Sequence, residues 1–164
     1  MTHISRLTCL LAALIICLGF SAPKALAEGG NTPESAAKGF THAYYTLDAS
    51  IGDYLSTDAR TDENEVDMVE LFFNKKEAEA RGRGYKISYL KMHPLLIKTE
   101  VVEQTEDTAT VRVNTSALRS INPVFRMVGW VFGLIDEHNF ETTLPLVKED
   151  GMWKVGPGAL VPMG

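Results

Sequence analysis

The chain has only two cysteines, Cys9 and Cys17, and both lie near its start. Any mature form lacking that start would have no disulfide, no thiol nucleophile and no cysteine metal site. Histidine is nearly as scarce. His42, His93 and His138 are the ones beyond the first few residues, and none sits in a His-Glu-x-x-His or comparable ligand spacing. No glycine falls between Gly52 and Gly82. The carboxylates Asp58, Asp62, Glu63 and Glu65 therefore cannot form an EF-hand loop, which needs a central glycine, and they read as a solvated acidic turn. Serine nucleophile elbows and glycine-rich phosphate loops are missing, and no cofactor motif takes their place. Positive charge is the minority sign, with 16 Lys and Arg against 21 Asp and Glu, which disfavours a nucleic-acid-binding surface.

What is present begins with an export signal. Met1 to Arg6 is a weakly basic lead, and Leu7 to Phe20 is an apolar core. That core is shorter than the roughly 20 residues a membrane span needs. Ser21-Ala22-Pro23-Lys24 breaks it, and Ala25-Leu26-Ala27 supplies the small residues of a cleavage site. A lipoprotein anchor at Cys17 is disfavoured by the bulky Ile16 before it and by its place inside the apolar core. The expectation is a signal peptide over 1–27 and a single domain over 28–164, exported to a periplasm or the exterior. Without Arg6 and Lys24, 14 basic residues face 21 acidic ones, a net charge of about −7. About 137 residues suffice for one ordinary hydrophobic core, and no transmembrane span is expected in them.

The hydrophobic period then changes along the chain. Thr32-Pro33-Glu34 reads as a helix N-terminus, followed by Ala36, Phe40, Ala43, Tyr44, Leu47 and Ile51 at helical spacing, with Gly52 as terminator. Glu65 to Arg81 predicts a second helix that ends in Lys75, Lys76 and Arg81. Those cations could bind an anion or simply complement the helix dipole. From Tyr85 the period becomes two. Ile97-Thr99-Val101, Ala109-Val111-Val113-Thr115 and Phe140-Thr142-Leu144-Leu146 each mark one face of a strand, and Glu149-Asp150-Gly151 turns into Met152-Trp153-Lys154-Val155. Helices first and antiparallel strands afterwards predict an α+β domain.

The start Thr-Pro-Glu-Ser-Ala-Ala-Lys-Gly-Phe (32–40), the helix end Leu-Asp-Ala-Ser-Ile-Gly-Asp (47–53) and the hairpin Leu-Val-Lys-Glu-Asp-Gly-Met-Trp-Lys-Val (146–155) together resemble the nuclear transport factor 2-like superfamily, which includes ketosteroid isomerase. The resemblance, to an exported bacterial-type member, implies a curved antiparallel sheet wrapped around helices into a cone whose interior often holds a ligand. It does not imply one function, because the superfamily contains enzymes, binding domains and dimerisation modules. The isomerase's catalytic tyrosine would fall on Ala43, so that activity is not carried over. A small pocket isomerase or hydrolase using His42, Tyr44, Tyr45 and Asp48 is the alternative to a binding domain. Asp136, Glu137, His138 and Glu141 are the densest set of possible metal ligands, but strand alternation turns neighbours to opposite faces, and no metal site is expected there.

One stretch stands out. Between the second and third long strands a short turn would suffice, yet residues 122–135 read Asn-Pro-Val-Phe-Arg-Met-Val-Gly-Trp-Val-Phe-Gly-Leu-Ile. Asn122-Pro123 reads as a helix start, and the helix after it is apolar all round. Three fates are open to it: burial in the core, an interface with a second copy or an envelope protein, or a lid or contact for a hydrophobic small molecule or lipid. The candidate ligand or interface residues are Phe40, Tyr44, Phe125, Val128, Trp130, Phe132 and Ile135.

Overall fold

The computed structural model describes residues 30–119, 123–134 and 136–160, with the side chains of Pro123, Phe125 and Arg126 outside that description. The signal-peptide reading of residues 1–27 likewise lies outside the described residues.

Helix α1, Pro33–Thr46, starts where the cap residues place it. The Ser35 amide donates to Thr32 Oγ1 at 3.2 Å, and the Thr32 amide donates to Ser35 Oγ at 3.1 Å, so two otherwise orphaned donors are satisfied at once. The helix stops earlier than the glycine at 52 suggested. Leu47 takes a left-handed conformation (φ 49°) as its C-cap. Asp48 then accepts the Ser50 amide to begin a 3-10 segment, Ala49–Tyr54. A short helix α2, Thr57–Arg60, follows on a Ser56 cap. Helix α3, Met68–Gly82, is capped by Asp67, which accepts from the Val69 and Glu70 amides. The acidic turn before α3 is held by Asp62, whose carboxylate takes the Asn64 and Val66 amides.

The strands β1 (Met92–Gln104), β2 (Thr108–Arg119), β3 (His138–Glu149) and β4 (Met152–Val155) form one antiparallel meander in that order. Bulges at Pro94/Leu96 and Val101/Glu103 bend β1, and the sheet curls into a half-barrel over the helices. The architecture is α+β, as the period change predicts. The register aligns the expected faces: Thr99, Val113 and Thr142 lie across from one another, as do Val101, Val111 and Leu144. These side chains meet α1, which packs on β1, β2 and β4. Phe40, Ile51, Val111, Val113, Leu144, Leu146 and Val155 are fully buried between them. The outer face of the sheet is polar, with Arg112 of β2 between Glu100 of β1 (3.3 Å) and Glu141 of β3 (3.6 Å). Solvated pairs of this kind add little stability.

Two close backbone contacts tie the helical layer to the end of the meander. Gly30 exchanges hydrogen bonds with Trp153 (2.9 and 3.2 Å), and the Ser56 amide donates to the Val155 carbonyl at 2.9 Å. Gly39 lets the 3-10 segment lie against α1: a Cβ there would sit 2.3 Å from the Tyr54 ring, so the ring would have to move.

Burial also links the fold to alkaline pH through a tyrosine. Tyr45 stacks on Phe140 (ring centroids 5.2 Å). Burial, with a smaller contribution from neighbouring Tyr44, pushes its hydroxyl up to about 12. A folded-state value above the unfolded one means that stability is complete below pH 10 and is lost as pH rises toward 12. Two pH units correspond to about 2–3 kcal/mol. Urea midpoints measured through that window are expected to fall for the wild type, and to fall less for Tyr45→Phe. Equal declines would mean that Tyr45 is not the group responsible.

Candidate functional site

The insertion between β2 and β3 is a helix, α4, Pro123–Val131. Its stop is a Schellman motif: the Leu134 amide donates to the Gly129 carbonyl (2.7 Å) and the Gly133 amide to the Trp130 carbonyl (3.1 Å). Gly133 supplies the left-handed residue at φ 65°. The reading of residues 124–135 as a largely helical insertion holds through Val131. Asn122 and Ile135 lie outside the described residues, as does the side chain of Phe125.

Burial in the core is the reading of this stretch that the structure overturns. Val124, Met127, Val128, Trp130, Val131, Phe132 and Leu134 are all exposed, Trp130 at 59% and Phe132 at 72%. The physical reason is position. The helix sits at the tip of the long β2–β3 hairpin, and no other described element packs closely on it. At about 100° per residue, positions 124, 127, 128, 130 and 131 sweep over nearly half of the circumference, and Phe132 extends that arc just past the helix end. Gly129, on the opposite side of the helix, is buried.

The remaining candidates on α1 separate. Phe40 is a core residue with no exposed surface, and it lines none of the described cavities. Tyr44, one turn on (6.2 Å between rings), reaches Phe72 of α3 at 5.2 Å and lines a side cavity of about 230 Å³. That cavity lies between α3 and the segment 158–160. Leu55, Met68, Phe72 and Leu160 form its apolar wall, and Lys75 and Lys76 stand at its edge. Sequence reasoning placed Met68 and Phe72 on α3 but had no signal that Leu55 and Leu160 would meet them.

The residues of the alternative pocket enzyme do not converge on a described cavity. Tyr45 is buried against Phe140, whereas His42 and Asp48 are exposed. Asp48 is engaged as a cap: the Ser50 amide, then the Ser50 hydroxyl, with lesser help from Lys91 and His42, hold its carboxyl below the usual range. Near the other candidate cluster, Ser116 Oγ donates to Glu137. Among the described residues, no group of His, Cys, Asp and Glu is placed to hold a metal ion, and no helix is long and apolar enough to cross a membrane.

No family model matches the chain, and no curated protein matches it. Among solved structures it is similar to an NTF-2 like protein of unknown function from Shewanella oneidensis MR-1. The identity is 13% over 73% of this chain and 88% of that one, at a TM-score of 0.41. The likeness is loose. The curled antiparallel sheet over the helices agrees with the architecture that the superfamily resemblance implies.

Proposed function

We propose that this chain is an exported, non-catalytic binding domain that docks on a lipid surface through α4. One observation carries the reading: an apolar helix at the tip of a hairpin, exposed over nearly half of its girth and continued by exposed Phe132 and Leu134. A protein groove typically covers an apolar stripe of roughly 100° or somewhat more, narrower than the arc presented here. The headgroup–acyl boundary of a bilayer, in contrast, takes in a short apolar helix together with the Phe132 and Leu134 that follow it. Trp130 is suited to that boundary, with a large apolar ring and one N–H for the polar side. An acidic body is repelled by anionic headgroups, so docking driven by α4 is expected to need no anionic lipid and to be stronger on zwitterionic than on anionic vesicles.

The two tryptophans make this measurable, because Trp130 is exposed while Trp153 is 4% exposed, with the Lys148 ammonium over its ring. The form recovered from the producing cell is expected to begin at Glu28. On adding zwitterionic phosphatidylcholine vesicles, its emission is expected to shift to the blue and to keep that shift at high salt. Trp130→Phe should remove the shift. A chain that sediments as a dimer with blue emission before any lipid is added would assign α4 to a second copy instead. A chain that begins at Met1 would remove the export part of the reading.

A further inference from the structure

The side cavity is independent of α4 and has a polarity of its own. Its wall is apolar, from Leu55, Met68, Phe72 and Leu160, and its titratable edge comes from α3 as Lys75, Lys76 and Glu79. The two lysines differ. Lys76 is paired with Glu79 at 3.3 Å, and Glu79 is shared with Arg83 at 3.2 Å. Lys75 is exposed and has no ion-pair partner among the described residues. An apolar pocket with one uncommitted ammonium at its mouth is complementary to a molecule with an apolar body and a single negative end. The volume of about 230 Å³ is below the usual range for drug-sized ligands and suits a body of roughly eight carbons.

We infer that this cavity binds a small amphipathic carboxylate, with its chain against Phe72 and Leu160 and its carboxylate at Lys75. Neither helix-dipole complementation by the basic end of α3 nor docking through α4 requires such a site. Lys75 binds the headgroup from an exposed position, so its share of the affinity is modest and is screened by salt. The apolar wall supplies most of the affinity.

The test uses sodium octanoate below its micelle concentration, followed by amide chemical shifts of the full mature chain. Shifts are expected at Tyr44, Leu55, Phe72, Lys75 and Leu160, saturating in the millimolar range or below. Lys75→Gln should weaken octanoate binding about threefold to tenfold without lowering the melting temperature. 1-Octanol should bind more weakly than octanoate and be indifferent to Lys75→Gln. Met68→Trp, which fills the cavity from a half-exposed position on its wall, should block both. Trp130→Ser should leave octanoate binding unchanged, so failure of lipid docking and failure of this site are distinguishable. Saturable shifts confined to residues 124–134, or no shifts at all, would overturn the assignment. Octanol binding as tightly as octanoate, with Lys75→Gln silent, would overturn its anionic half.

Discussion

Replacing Phe40 with alanine is expected to destabilise the domain by about 3–5 kcal/mol, while the same change at Phe132 is expected to stay within about 0.5 kcal/mol. Both are phenylalanines near or within helices, and neither carries a polar group. They differ in what surrounds them. Phe40 has no exposed surface and lies in the cluster where α1 meets the sheet, one turn from Tyr44. Removing its ring forfeits the transfer free energy and leaves a cavity that the surrounding structure closes only in part. Against a typical domain stability of about 5–15 kcal/mol, this is a large share, and it corresponds to a melting temperature lower by roughly 10–20 °C. Phe132 follows α4 on the outside of the hairpin tip, so its truncation removes little that the fold has buried. Thermal melts of the two variants would check this. Equal losses would mean that α4 packs on the domain after all.

Much of this fold was legible in the sequence because the informative signals were local. Thr32-Pro33-Glu34 and the period-two faces of β1, β2 and β3 each state a backbone conformation within a few residues, and the structure follows them. So does the turn at Asp150-Gly151, where both residues have positive φ (51° and 80°). The end of α1 was not legible in the same way. Gly52 looked like the terminator, but Leu47 takes the left-handed cap, and Asp48 is then free to start the next segment. The helical insertion could be read from its residues, but its exposure could not. An apolar-all-round helix normally signals burial, and only the hairpin geometry shows that this one is left outside. On α1, Tyr44 reaches a cavity and Phe40 does not, although they share a helical stripe, because depth against the sheet is a tertiary property. The side cavity depends on Leu55 and Leu160 meeting α3, a long-range contact with no local signature.

Combining Trp130→Ser with Val128→Ser is expected to reduce vesicle affinity by about 100-fold or more while leaving the melting temperature unchanged. Each large apolar side chain withdrawn from water is worth roughly 1.5–3 kcal/mol, and every 1.4 kcal/mol is tenfold in affinity. Trp130 alone therefore accounts for about 10- to 100-fold, and Val128 adds to it. Both residues are solvent-exposed on α4, and no described element packs closely on that helix, so the fold has little to lose. An opposite pattern, lost stability with retained affinity, is what burial of these side chains in the core would produce.

The most direct measurement is co-sedimentation of residues 28–164 with zwitterionic phosphatidylcholine vesicles, wild type beside the Val128→Ser/Trp130→Ser double variant, with thermal melts of both. The account expects the wild type to pellet with the vesicles and the double variant to remain in solution, with coincident melts. It is contradicted if the wild type stays in the supernatant at saturating lipid, or if the double variant pellets equally well.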